Sequence, residues 1–149
     1  IHAEMERGMA DALQQVARQG NALAEVIREY LLVCDRMSDH ILLIYQETQS
    51  LPQKWRRVVL ENEVRITGFF TRALAHPMAS GDIPPLSQAA MDLIAHNIAV
   101  IGHMWTFRRW FLSCHYTIED YIKHQTAFIL NMCHTEEPAP GHPPGRGKP

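Results

Sequence analysis

The residues best placed to do chemistry fall into two helix-spaced pairs. Asp92 and His96 are four positions apart, and so are Asp120 and His124. That separation puts both side chains on one helix face, so each pair could offer a carboxylate and an imidazole to one metal ion. The same spacing also gives an ordinary surface pair on a helix. A carboxylate-bridged di-iron bundle needs Glu-x-x-His pairs pointing inward, and the chain has none. Cys114-His115 and Cys133-His134 are adjacent dipeptides, a poor start for a zinc site. There is no glycine-rich phosphate loop, no nucleophile elbow and no legible Ser-His-Asp set. The expectation is no enzyme, no metal and no cofactor. Three cysteines, an odd number without CxxC spacing, suggest reduced thiols in a cytoplasmic protein.

A second candidate is HMWTFRRWFLSCHYTIEDY, residues 103–121. It sets Trp105, Phe107, Trp110 and Phe111 around Arg108 and Arg109. Aromatics interleaved with arginines can hold single-stranded nucleic acid. A formal net charge of −2 and a pI near 6.5 weaken that reading, because such surfaces normally show a basic excess. The stretch is better read as a corner between two interface helices. Trp105 and Leu112 are then expected to face a partner, and Met104 and Phe107 to face inward. Arg108 and Arg109 are either a solvated or interfacial pair, or a contact to a phosphate or carboxylate on a large ligand.

These residues need elements to hold them. The chain has 149 residues, enough for one domain, and its 46% hydrophobic and 20% charged content is that of a globular protein. No stretch alternates with period two, and helical periodicity runs throughout. A first helix is expected over about residues 2–18, with Met5, Met9, Leu13 and Val16 on one face. A second is expected over about 22–37, and a short third over 41–48 capped from Ser38-Asp39. A long fourth, about 52–75, would have Ser50 as cap and Pro52 in its first turn. HPMASGDIPP reads as a loop. Ser87 would cap a fifth helix over about 87–112, and Thr117 a sixth ending near His134, with Glu119 and Asp120 favouring its dipole. The Pro- and Gly-rich tail, residues 135–149, is expected to be disordered or extended. The prediction is an all-α domain of six helices over residues 1–134. No run approaches the roughly 18 apolar residues of a membrane span. The N-terminus is amphipathic and acid-bearing, unlike a signal peptide. A chain that begins at Ile1 inside a helical pattern is expected to continue upstream.

The fifth helix is apolar on two sides. Leu93, Val100, Met104, Phe107 and Phe111 lie on one, and Ile94, Ile98, Ile101, Trp105 and Leu112 on the other. One side can face the domain's own core, so the other is expected to meet a second copy of the chain. The last helix carries its own stripe, Ile118, Tyr121, Ile122, Ile129 and Met132, with Phe128 beside it. Two adjacent helices from each chain would form a four-helix interface. His96, Asn97 and His103 sit mid-helix among apolar neighbours, so if buried they must be hydrogen-bonded.

Three stretches together carry a family resemblance: HILLIYQETQSLPQKWRRVVLENEVRITGFF, SGDIPPLSQAAMDLIAHNIAVIGHMWTFRRWF and YTIEDYIKHQTAFIL. In that order they resemble the C-terminal ligand-binding and dimerisation domain of TetR-type (TetR/AcrR) transcriptional regulators, nearest the branch that responds to fatty acids and acyl-CoA. The resemblance spans about residues 22–133. It implies a homodimer, a repressor, and a small hydrophobic effector such as an acyl-CoA or fatty acid. It also implies that DNA is read only through an N-terminal helix-turn-helix domain, which this sequence does not include. Residues 1–18 would be the helix connecting the two domains. The implied pocket lies between the second, fourth and fifth helices. By facing, its lining would be Tyr30, Cys34, Tyr45, Trp55, Val59, Asn62, Ile66, Phe69, Asn97, Val100 and Met104. The dimer interface would comprise Ile98, Ile101, Trp105, Leu112, Ile118, Tyr121, Ile122, Phe128 and Ile129. The alternatives are a stand-alone helical dimerisation module without a small ligand and, third, a metal-binding helical-bundle enzyme.

Overall fold

A computed structural model describes Ala10, Asp11, Gln14 and residues 23–135 of the chain. Most of the expected first helix, and the tail beyond Thr135, lie outside the described residues. The fold is all-α. Among the described residues from Leu23 onward, six helices run in the order α1 (Leu23–Arg36), α2 (Ser38–Thr48), α3 (Gln53–Ser80), α4 (Gln88–Phe107), α5 (Arg109–Leu112) and α6 (Ile118–Thr135). They are the second to sixth helices of the sequence reading, with the fifth divided in two.

α1 is the central element. Its residues Leu23, Val26, Ile27, Tyr30, Leu31 and Cys34, three and four apart, are all buried. That stripe packs against α4 and α6, with α3 closing a third side. A close approach falls at Gly102 of α4. A methyl group there would meet Tyr30 Cε1 at 2.5 Å and Cys34 Sγ at 2.7 Å. The Tyr30 hydroxyl donates to the carbonyl of Ala99 at 2.9 Å, so its one polar atom is satisfied inside the core. An exposed fork from Arg28 to Glu119, at 2.5 and 2.9 Å, links α1 to the first turn of α6.

The helix ends follow local chemistry, not always as the sequence suggests. Ser87 caps α4 by accepting from Ala90 N–H at 3.1 Å. Thr117 accepts from Asp120 N–H at 3.1 Å, while the Asp120 carboxylate accepts from Thr117 N–H at 3.1 Å, a reciprocal pair that starts α6. The other two expected caps differ. Ser38 is already inside α2 and turns back to donate to the Cys34 carbonyl at 2.9 Å. Pro52, not Ser50, occupies the N-cap of α3. The expected loop after residue 75 is instead five more residues of helix. α3 continues through Pro77 to Ser80 and stops at Gly81, whose φ of 81° few other residues tolerate. A proline there costs one backbone bond, but Pro77 and Leu74 are both buried, which works against that cost. α4 ends at Arg108, whose backbone leaves the helical region, and α5 restarts as a single turn.

The close contact at Gly102 gives a direct test. Gly102→Ala should destabilise by about 1–3 kcal/mol through overpacking, despite the better helix propensity of alanine. The check is chemical denaturation; an unchanged or raised midpoint would show that α1 can move away at no cost.

Candidate functional site

α3 has two useful faces. Asn62, Ile66, Phe70 and Leu74 face the core. A second stripe, Leu60, Val64, Thr67 or Gly68, and Thr71, again three and four apart, lies beside it and lines a groove against α4. From α4 come Asp92, His96, Ala99, Val100 and His103, and from α2 comes Tyr45. The volume is about 510 Å³, within the range of small-molecule sites. Gly68 and Ala99 have little or no side chain, which leaves space between the helices. The hydroxyls of Thr67 and Thr71 donate to backbone carbonyls one turn earlier, at 2.9 and 3.3 Å.

One end of the groove is polar. Tyr45 and His103 Nδ1 share a hydrogen bond of 2.8 Å, and the rings meet edge-on with centroids 5.1 Å apart. The Tyr45 ring also meets Phe107 edge-on at 4.7 Å. The hydroxyl can donate or accept, so either tautomer of the imidazole is satisfied. Nε2 is therefore left to present a hydrogen or a lone pair toward Glu63, whose Oε2 is 3.8 Å away. That distance is too long for a hydrogen bond. Burial, with a lesser contribution from His96, pushes His103 down to about 4. Burial also raises Glu63, and it pushes Tyr45 up to about 12, with Glu63 adding to the latter. The shifts of Glu63 and His103 both run against an ion pair. At neutral pH the site holds an uncharged imidazole facing a partly desolvated carboxyl group.

The expected pocket residues are distributed differently from the sequence reading. Tyr45 and Val100 line the groove. Tyr30, Cys34, Asn62 and Ile66 are packed in the core. Val59, Phe69 and Asn97 are half-buried. Phe69 lies under the Arg72 guanidinium at 4.7 Å, and Asn97 donates to the Met132 sulfur at 3.5 Å. Trp55 and Met104 are exposed. Glu63, Leu60, Val64, Thr67 and Gly68 were not singled out from sequence. Their signal was the second stripe on α3, beside the stronger core stripe. Asp92 and His96 do share a face, as their spacing suggests, and that face lines the groove. Asp92 there accepts from Gln88 at 2.8 Å. Asp120 is engaged in starting α6. Among the described residues no group of three or more His, Cys, Asp or Glu side chains is arranged to hold a metal ion.

The two sides of α4 are also assigned differently. Ile98, Trp105, Tyr121, Ile122 and Ile129 are buried within their own chain, because α1 covers that side. Ile101, Leu112 and Ile118 are half-buried, and Phe128 is 63% exposed. Met104 and Phe107, expected inside, face out together with Leu93 and Val100. Trp105 stacks on Tyr121 with centroids 4.9 Å apart, and its indole N–H donates to Asp35 at 2.8 Å. The two arginines have separate partners. Arg109 lies 3.4 Å from the same Asp35 carboxylate, so it ties α5 to the end of α1. Arg108 lies over Trp110 at 5.1 Å and Phe111 at 5.9 Å.

No protein-family model matches this chain, and neither does any curated protein or solved structure.

The depressed His103 has a pH consequence. Its folded-state value of about 4 lies below the ordinary 6.5, so the unfolded chain takes up this proton first. Its contribution is whole above about pH 6.5 and is lost as pH falls toward 4. Glu63, raised in the fold, acts in the opposite sense, so the readout must be a difference. Between pH 7 and pH 5, wild type should lose on the order of 2 kcal/mol more than His103→Gln. Parallel stability curves for the two proteins would remove the imidazole from this role.

Proposed function

We propose that this chain is the effector-binding and dimerisation domain of a TetR-type transcriptional regulator, acting as a repressor that senses a small hydrophobic molecule. The observation that carries the reading is the groove between α3 and α4. It joins apolar walls, Leu60, Val64 and Val100, to one polar end built from Tyr45, His103 and Glu63. A mostly apolar cavity with a few convergent polar groups is the usual form of a small-molecule site. The family resemblance read from the sequence supplies the regulatory context.

The dimer part of the proposal rests on a different surface. α4 and α6 lie side by side, joined by the Tyr121 hydroxyl donating to the Ile101 carbonyl at 2.6 Å. Helical spacing turns Leu93, Met104 and Phe128 away from the core, and all three are exposed. Two such helices from each of two chains would form a four-helix bundle with a C2 axis. A ligand in the groove regulates only to the extent that it binds one arrangement of the dimer better than another. In the proposed regulator that preference reaches DNA through the helix connecting to the N-terminal helix-turn-helix domain. Among the described residues no helix is long and apolar enough to cross a membrane.

Gly68 allows a clean test of the groove. A Cβ there meets only the Arg72 guanidinium at 3.4 Å, the mobile end of a long side chain. Gly68→Leu should therefore fill the groove and keep the fold. Groove-binding lipophilic compounds should raise the thermal midpoint of wild type with concentration and leave that of Gly68→Leu unmoved. If both proteins are flat across a broad lipophilic panel, a helical dimerisation module without ligand becomes the better reading.

The interface has its own test. The double variant Leu93→Glu, Phe128→Glu alters exposed positions, so helicity should be unchanged while sedimentation shows a monomer in place of the wild-type dimer. An intact dimer would place the interface elsewhere.

A further inference from the structure

We propose that the effector is a lipophilic amine, with its ammonium group seated between Glu63 and His103 and its hydrocarbon part lying along Leu60, Val64 and Val100. This rests on the reading of the groove as a ligand site. Charge in the groove favours an amine. Two of the groove-lining side chains are carboxylic acids, Glu63 and Asp92, and none is lysine or arginine. Asp92 is already hydrogen-bonded by Gln88, whereas the Glu63 carboxyl group has the His103 imidazole nitrogen 3.8 Å away, beyond hydrogen-bond distance. A carboxylate removed from water without a cation is costly, and an entering cation offsets that cost. His103 does not supply the cation, because its burial keeps the ring uncharged at neutral pH.

The geometry fits the same group. With its lone pair on Nε2, the imidazole donates through Nδ1 to the Tyr45 oxygen and keeps that 2.8 Å hydrogen bond. Nε2 and the Glu63 oxygen are then two acceptors 3.8 Å apart. A nitrogen donor about 2.8 Å from each closes a triangle on that base. A fatty acid or an acyl-CoA would instead bring negative charge to a carboxylate. Arginines do lie nearby but outside the lining. Arg72 runs beside Gly68 and covers Phe69. Arg57 and Arg65 flank Glu61 in an adjoining depression that shares Leu60 and Val64 with the groove. An acid-headed ligand would have to reach one of these, so the acid belongs in the test.

Titration calorimetry at pH 7 with decylamine, decanol and decanoate, each below its micellar range, separates the cases. Decylamine should bind at least tenfold more tightly than decanoate. Glu63→Gln, a near-isosteric change at a half-buried position, should weaken decylamine about tenfold and leave decanol within twofold. Gly68→Leu should abolish binding of all three, which locates them in the groove. Decanoate binding as tightly as decylamine, decylamine binding unaltered by Glu63→Gln, or decylamine binding that persists in Gly68→Leu would each overturn the proposal. Decanol binding without any preference for the amine would overturn only the amine assignment and leave the groove as an effector site. Binding of none of the three would overturn both.

Discussion

The contact that the rest of the fold depends on is the one between α1 and α4 at Gly102. Without a side chain there, α1 can bring Tyr30 and Cys34 against the backbone of α4. The Tyr30 hydroxyl then reaches the Ala99 carbonyl, and the Tyr30 ring meets Phe70 of α3 edge-on at 4.9 Å. One close approach thus fixes three helices relative to one another. It also decides which side of α4 is covered. With Ile94, Ile98 and Trp105 held against the core, Leu93, Val100 and Met104 have no option but to face outward. The groove and the outer apolar face are both consequences of that rotation.

A second tie works at the other end of the same pair. Asp35 takes the Trp105 indole N–H and also sits beside the Arg109 guanidinium. The helix break at Arg108 is what allows Arg109 to turn back toward α1. The aromatic-basic stretch that could be mistaken for a nucleic-acid surface is therefore divided by function. Trp105 and Arg109 anchor the C-terminal end of α1, whereas Arg108, Trp110 and Phe111 form an exposed cluster.

The helices themselves were legible, because three-and-four spacing survives in every element from Leu23 to Cys133. Ser87 and Thr117 were legible as caps, since each directly precedes the start of an apolar helical pattern. Ser38 was not, because a hydroxyl one turn past Cys34 can bond back to its carbonyl. The side assignment of α4 was not legible from hydrophobicity, since both sides are apolar. Gly102 held the missing clue: it falls on the Ile98–Trp105 side, and a glycine within a helix marks a place where another backbone or ring comes close. Glu63 was harder still. A glutamate on a helix rich in charge looks like any solvated residue, and only the tertiary position of His103 and Tyr45 distinguishes it.

Gly68 stands in contrast to Gly102. Both are helical glycines, but a side chain at one would meet ring and sulfur atoms, while at the other it would meet only the end of the Arg72 side chain. A side chain at the core position is costly, and one at the groove position costs much less. Pocket width can therefore drift through a single codon at Gly68 while the scaffold stays under constraint at Gly102. For the effector site proposed above, the size of molecule admitted would then change at Gly68 with the Gly102 contact left intact.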